Sequence, residues 1–540
     1  MIKRPDSRKQ FRCKWAAFPA RRGVAAFVLG VLCTTYCVFL FLLRDSLDVA
    51  LALYSDDAFY YFKIAHNISS GVGCTFDGIA RTNGFHPLWL GCLLPVFWLT
   101  GAHLELPVRI MTAVSGALCV GTLVLVYEVS RKHIGPNCGL VAVAACLLTP
   151  VFGALLNGME TGLLLFGVAV MLWLCYEKRI HDPLASGTSS LLFGIVLGVI
   201  ALCRLDSVFL LFAALCLGAV AYPVLKVPVR TCISRLLTIC VGFGAAVGPY
   251  LAWNLLLFKH VVPISGAVKS SFPRPRDGLL ELPGDMLIGA ALLGVLVGLT
   301  GLVIGRRSES GRARAAVRSP LMLITLASIF HLAYEYLFVT WGVYWWHFSV
   351  YGLGIALASG EAVGALTTNR VRFRPWLVGV AVVGTLALAI PINGRVIAAR
   401  LHRHRQWLAA AEWARHHTPS DAVFAIKDAG LFGYFADRHV VNLDGKANSY
   451  EYKKCLEEAH VDRYLRLARV SYVADISARY QAGRSRIVIP RAGQDPVILW
   501  TEKAREVYRS ATRLPTRSGR EVAGYFTIWA YAEPVGDSIQ

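Results

Sequence analysis

The sequence predicts a polytopic α-helical membrane protein with about eleven transmembrane helices and a C-terminal α/β domain outside the membrane. Three observations carry this reading. The 540-residue chain is 56% hydrophobic and only 16% charged, against roughly 25% charged in soluble globular chains. Apolar runs long enough to cross a bilayer, about 17–25 residues each, follow one another to about residue 391 and then stop. Short basic segments flank every second run, as the positive-inside rule requires.

The spans are 23–43, 110–129, 138–156, 161–176, 189–203, 207–224, 237–257, 287–304, 320–339, 347–367 and 375–391. Residues 1–22 form a basic cytoplasmic N-terminus. The first run is longer than the apolar core of a signal peptide, and no small-x-small cleavage site follows it, so it reads as a retained helix. Residues 87–101 are also apolar, but the segment is short and contains Pro95. If it crossed, Arg131-Lys132, Lys178-Arg179 and Arg306 to Arg318 would all lie outside. It therefore reads as interfacial or re-entrant, within a long first outer loop, 44–109. The alternative of twelve crossings places the C-terminal domain in the cytoplasm.

The net charge of +21 is explained by topology. Of the 55 Lys and Arg residues, 23 lie in the cytoplasmic flanks, which argues against the salt-dependent basic surface of a nucleic-acid binder. Most of the 14 cysteines lie in apolar runs, where they act as small hydrophobes. Cys74 and Cys455 are the clear external ones. Neither CxxC nor a Cys/His metal spacing occurs.

Within the outer loop, Ala58 to Ser69 has helical periodicity and ends at Gly71 and Gly73. Thr82-Asn83-Gly84 marks a turn. After Ile392 the pattern changes. A helix ends at His417 before Pro419, strands are expected at Ala422 to Ile426, Val440 to Leu443 and Tyr472 to Ala474, and Gly430 to Phe435 turns into a short helix. This alternation predicts an α/β domain over 392–540.

Four polar clusters fall at the outer ends of spans, and together they suggest one site at the membrane surface. Asp56-Asp57 opens a helix. Either carboxylate could cap it, and one could instead accept a proton from a sugar hydroxyl within hydrogen-bond reach. Glu160 follows Asn157-Gly158 and reads as a helix–helix turn or a site acid. Arg204 and Asp206 stand between two apolar runs. Ionisable groups there usually pair or face a cavity, so they read as an ion pair or as an anion site on Arg204. Lys269, in the segment from His260, is either a solvated loop residue or a phosphate clamp, since its ammonium offers a compact charge with three donors. Lys63 and Arg81 are further outer cations, and His86 lies at the interface with no metal-ligand spacing. The aromatics Tyr54, Phe59 to Phe62, Trp341 and Tyr344 to Trp346 read as an interfacial belt or, more weakly, as a carbohydrate platform.

In order along the chain, SDDAFYYFKIAHNISSGVGCTFDGIARTNGFHPLWL (Ser55 to Leu90), NGMET, RLD and VPISGAVKS resemble the GT-C superfamily of integral membrane glycosyltransferases. They are most similar to bacterial members near glycosyltransferase family 39. AGLFGYFADRHVVNLDGKAN (Ala429 to Asn448) also recurs in that group, and the resemblance runs from about residue 23 to 475. It implies a GT-C-like transmembrane domain over 23–391 and inverting transfer of a sugar from a polyprenyl-phosphate donor to a glycan, lipid or protein acceptor. The site would face outward from the bacterial cytoplasmic membrane, with the C-terminal domain covering it or selecting the acceptor.

The family's acidic pair falls on Asp56 and Asp57, with Asp56 its usual base. Its second acidic position falls near Glu160, where more distant relatives often carry Asp. The combined expectation gives catalysis to Asp56 and Asp57 and the leaving phosphate to Lys269 and Arg204. Glu160, Asp206, Lys63, His86 and Asn157 would support the site. No cofactor and no catalytic metal are expected, though a divalent cation among Asp56, Asp57 and Glu160 stays open. The competing classes are a transporter or flippase for lipid-linked glycans and a non-catalytic scaffold.

Overall fold

The computed structural model describes residues 47–277, 279, 283–306, 309–367, 397–477, 486–491, 494–500, 504–515 and 521–531. The expected spans 23–43 and 375–391 lie outside the described residues. Among the described residues, seven helices are long and apolar enough to cross a membrane: Glu105–His133, Thr161–Lys178, Leu205–Leu225, Val229–Phe258, Met286–Gly305, Pro320–Phe338 and Trp345–Leu366. The 30-residue helix Val229–Phe258 is about 45 Å long at 1.5 Å per residue, more than the roughly 30 Å of hydrocarbon. The chain is a multi-pass membrane protein.

Three apolar helices are shorter: Pro87–Thr100, Asn137–Leu148 and Gly187–Cys203. The first, 14 residues, reaches only about 21 Å. The run expected as one span over 138–156 is broken in two, Pro136–Leu148 and Val151–Leu156. Pro150 is the reason. It disfavours helical geometry at the preceding residue, and Thr149 is extended, with φ −93° and ψ 172°.

The outer loop folds against the C-terminal domain. Helix Asp56–Ser69 buries Phe59, Phe62 and Ala65 in a core shared with Phe432, Tyr434 and Phe435. A helix over 397–417 grips the preceding turn, with Arg400 Nη1 donating to the Leu53 carbonyl at 2.6 Å and His404 Nδ1 2.7 Å from the Leu51 carbonyl. Beyond it lies a five-stranded sheet in the order β2-β1-β3-β7-β6. Its strands are β1 (Val423–Ile426), β2 (His439–Asn442), β3 (Tyr472–Ser477), β6 (Ala504–Pro515) and β7 (Glu521–Tyr531). β4 (Arg486–Arg491) and β5 (Gln494–Trp500) pair separately.

The parallel β2-β1-β3 half is buried on both faces, as parallel strands usually are. Successive side chains of a strand point to opposite faces. Phe424 and Ile426 thus face the core shared with the outer loop, while Val423 and Ala425 face a smaller core with Tyr452, Leu456 and Leu465. One face of the sheet is therefore docked onto the membrane part, and this docking carries the β2 end of the sheet to the site.

Candidate active site

Asp56 and Asp57 are neighbours in sequence with different partners. Successive helical residues point about 100° apart, and the tertiary packing uses both directions. Asp56 Oδ1 accepts the Leu431 N–H at 2.8 Å and Oδ2 accepts the Gly430 N–H at 3.1 Å. It thus satisfies free donors at the start of the helix Gly430–Phe435. A Cβ at Gly430 would stand 2.0 Å from the Asp56 carbonyl oxygen, so this contact requires glycine. Burial, then Asp428, push the Asp56 carboxyl up to about 7 against the opposing Leu431 N–H.

Asp57 faces a polar chamber of about 80 Å³, whose walls include Tyr60, Tyr61, His86, Glu160, Arg204, Lys269 and Lys446. Lys446 Nζ lies 3.3 Å from Asp57 Oδ1 and 3.1 Å from Asp444 Oδ2. Burial raises the Asp57 carboxyl, but Lys446 and then Lys269 outweigh it, and the net pKa falls below the usual carboxylate value. Asp57 is therefore ionised at neutral pH. Gly84 lets the Lys446 loop in: a Cβ there would lie 2.2 Å from the Lys446 carbonyl oxygen.

On the opposite wall, Glu160 is buried and accepts the Tyr61 hydroxyl at 2.7 Å. Arg204 Nη1 is 3.5 Å and His86 Nε2 3.8 Å from its other oxygen. Asn157 stays in the turn before Glu160, where its Oδ1 accepts the Met159 N–H at 3.0 Å and the Thr161 hydroxyl at 2.8 Å. It sets the position of Glu160 without lining the chamber. Arg204 occupies an extended residue between helix Gly187–Cys203 and a short 3-10 turn. That break turns its side chain inward, and its Nε donates to Asp206 Oδ2 at 2.7 Å. Asp206 in turn lies 3.5 Å from His331 Nε2.

Lys269 ends the short helix Ile264–Lys269. Asn83 holds that helix, with its Oδ1 accepting the Ile264 N–H at 2.9 Å and its Nδ2 donating to Asn254 at 3.0 Å. Burial first, then Lys446, lower the Lys269 ammonium from its ordinary value. Among the described residues its ammonium has no ion-pair or hydrogen-bond partner. Lys63 lies elsewhere, with Asp437 and Arg438 as its charged neighbours, and burial brings it down to about 8.

A second cavity, about 450 Å³, adjoins the chamber. Val208, Phe209, Phe243, Val247 and Leu251 give it apolar walls, and His86, Arg204, Ser265, Lys269 and His347 line both spaces. A polar chamber thus meets a hydrocarbon groove across a boundary rich in cationic and imidazole groups.

Several residues here escape a reading of sequence alone. Lys446 lies in a string noted above for its recurrence, but nothing local says that it reaches a membrane helix. Tyr344 and Trp346, expected in an aromatic belt, line the chamber and stack on each other at 4.5 Å. His331 and Glu335 had a detectable signal, being ionisable residues within an apolar helix.

The architecture is that of a multi-pass membrane protein whose outer loop and α/β domain close over one chamber, and the fold is the GT-C fold. The bound structure of ArnT from Cupriavidus metallidurans, with undecaprenyl phosphate, superposes with a TM-score of 0.54 at 14% identity, covering 88% of this chain and 98% of that one. ArnT in the apo state gives a TM-score of 0.47 at 14% identity, over 86% and 98%. The oligosaccharyltransferase AglB from Archaeoglobus fulgidus, in complex with an inhibitory peptide and a dolichol-phosphate, gives 0.46 at 14% identity, over 79% and 66%. Residues 396–525 match a domain of unknown function, DUF8728. No curated protein sequence matches the chain.

Proposed function

We propose that this protein is an inverting glycosyltransferase that moves a sugar from a polyprenyl-phosphate carrier to an acceptor hydroxyl at the outer face of the bacterial cytoplasmic membrane. The observation that carries this reading is the shared boundary of the two cavities: Lys269, Arg204, His86, His347 and Ser265 line both the groove and the chamber that holds Asp57. A lipid-linked phosphate is the ligand whose chemistry matches that arrangement. Its chain fits the apolar groove, its phosphate meets the cations, and its sugar enters the chamber. ArnT, which has the same fold, is bound to undecaprenyl phosphate in its structure.

In this mechanism the acceptor oxygen attacks the anomeric carbon from the chamber side. The bond from that carbon to the phosphate oxygen breaks, and the phosphate leaves with the electron pair. Lys269, with Arg204, stabilises the charge that develops there. Asp57 accepts the hydroxyl proton. Its lowered pKa makes it a modest base, sufficient for a proton lost late against an activated leaving group. Asp56 acts on the fold, anchoring the α/β domain that brings Lys446 to Asp57. Glu160 orients Tyr61 and Arg204. The N-terminus is cytoplasmic, residues 23–391 form the membrane domain, and residues 392–540 cover the site from outside. The acceptor is a glycan, lipid or protein, and the sugar a hexose or pentose.

The test is transfer from a panel of radiolabelled polyprenyl-phosphate sugars by purified full-length protein, with membrane extract as acceptor, for wild type and Asp57→Asn. Transfer that disappears in the variant while donor binding persists supports the enzyme. Donor binding without transfer, unchanged by Asp57→Asn, moves the reading to transport or binding of lipid-linked glycans.

A further inference from the structure

We infer that Asp206, His331 and Glu335 form a zinc-type metal site beside the chamber. His331 and Glu335 are four residues apart on helix Pro320–Phe338 and so share one face. Asp206 comes from the turn after Arg204. A ligating atom from each of the three lies within 4.8 Å of the others.

Three observations point to an ion. The first is the imidazole. Tyr351 Oη donates to the Ser328 carbonyl at 2.9 Å, so its lone pair takes the proton of His331 Nδ1 at 2.8 Å. That leaves His331 Nε2 facing two carboxylates, at 3.5 Å from Asp206 Oδ2 and 3.4 Å from Glu335 Oε1.

The second is spacing. Both distances exceed the 2.7–3.2 Å of a good N–H···O hydrogen bond. They match the roughly 3.3–3.4 Å edge of a tetrahedron with bonds of about 2.0–2.1 Å, the geometry of zinc with nitrogen and oxygen ligands. The third is an unmet acceptor. Glu335 is 4% exposed and its Oε2 is buried with no hydrogen-bond partner among the described residues, a cost that an imidazolium with one N–H directed at two carboxylates does not remove. Two further groups already reach the proposed ligand oxygens: Arg204 Nε donates to Asp206 Oδ2 at 2.7 Å, and His347 Nδ1 lies 3.0 Å from Glu335 Oε1. Imidazole among the ligands favours zinc over magnesium.

An ion here would fix Asp206, and through it the Arg204 guanidinium at the boundary of the two cavities. The inference stands on these contacts and does not depend on glycosyl transfer.

The test uses untagged full-length protein, stripped with chelator and exposed to stoichiometric Zn²⁺ or Co²⁺. The expected result is about one tightly held ion per chain, intense tetrahedral Co²⁺ absorption bands, and zinc K-edge absorption showing imidazole with oxygen ligands. Asp57→Asn keeps the ion. Glu335→Gln loses it, and Tyr351→Phe, which removes the partner that orients His331, weakens binding about 10- to 100-fold. Should Glu335→Gln fail to fold, Tyr351→Phe and the wild-type spectra still decide. Wild type that remains metal-free, a spectrum without imidazole, or loss of the ion in Asp57→Asn overturns the proposal.

Discussion

Asp56 Oδ1 accepts the backbone N–H of Leu431 at 2.8 Å, across 375 residues of chain. This bond and its companion to Gly430 tie the first outer loop to the start of a helix in the α/β domain. The acid that the family pattern marks as the base is thereby engaged in fold assembly, and its neighbour Asp57 is the acid that lines the chamber.

The two acids should separate by measurement. Asp57→Asn is expected to cut transfer by about 10²–10⁴-fold, the usual contribution of general-base catalysis, with little change in melting temperature. Asp56→Asn leaves one backbone N–H facing an amide N–H, costing about 1–3 kcal/mol for an unmet buried donor. It should lower the melting temperature while retaining Asp57-dependent turnover. The reverse pattern would return the base role to Asp56.

Asp56 also gives a pH signature. Its folded pKa, about 7, lies above the reference value of 3.8, so the folded state holds an extra proton between those values. Its contribution to stability is greatest below about pH 4 and declines until about pH 7. The melting-temperature difference between wild type and Asp56→Asn should therefore favour wild type more at pH 5 than at pH 8. A difference independent of pH would argue against the raised pKa.

Lys446 holds Asp57 ionised. In Lys446→Met, burial is opposed by Lys269 with less help, and the Asp57 carboxyl rises. The acid limb of the pH–rate profile should move to higher pH, in line with loss of a close opposite charge. An unmoved limb would show that the chamber's carboxylate is titrated by other groups.

Lys269 is half-buried where the two cavities meet, and its ammonium has no partner among the described residues. Replacing a partly desolvated, unpaired ammonium by an apolar chain of similar length is neutral or stabilising. Lys269→Met should thus keep or raise the melting temperature while weakening polyprenyl-phosphate binding about tenfold or more, roughly 1.4 kcal/mol. Isothermal titration in detergent reads both the affinity and its salt dependence.

Gly430→Ala tests the docking directly. With a Cβ 2.0 Å from the Asp56 carbonyl oxygen, the two segments must part, at an overpacking cost of about 1–3 kcal/mol. Faster limited proteolysis of the α/β domain is the expected readout, with the membrane helices unchanged by circular dichroism.

The class of molecule, most helices and the first strands could be read from the order of residues alone. Apolar length and flanking charge are properties of a continuous stretch, because every backbone group within lipid must be satisfied in the segment that carries it. β1, β2 and β3 were legible for a similar reason: short apolar runs between turn residues point to strands wherever they later pack. The gathering of Glu160, Arg204 and Lys269 was legible because each ionisable group stands at a span end. Packing settled which of two adjacent acids faces the chamber, that Lys446 crosses from the α/β domain to reach it, and that His331 and Glu335 converge on Asp206. Those outcomes depend on distances between residues far apart in the chain, and a carboxylate's role is set by the partner that packing brings to it.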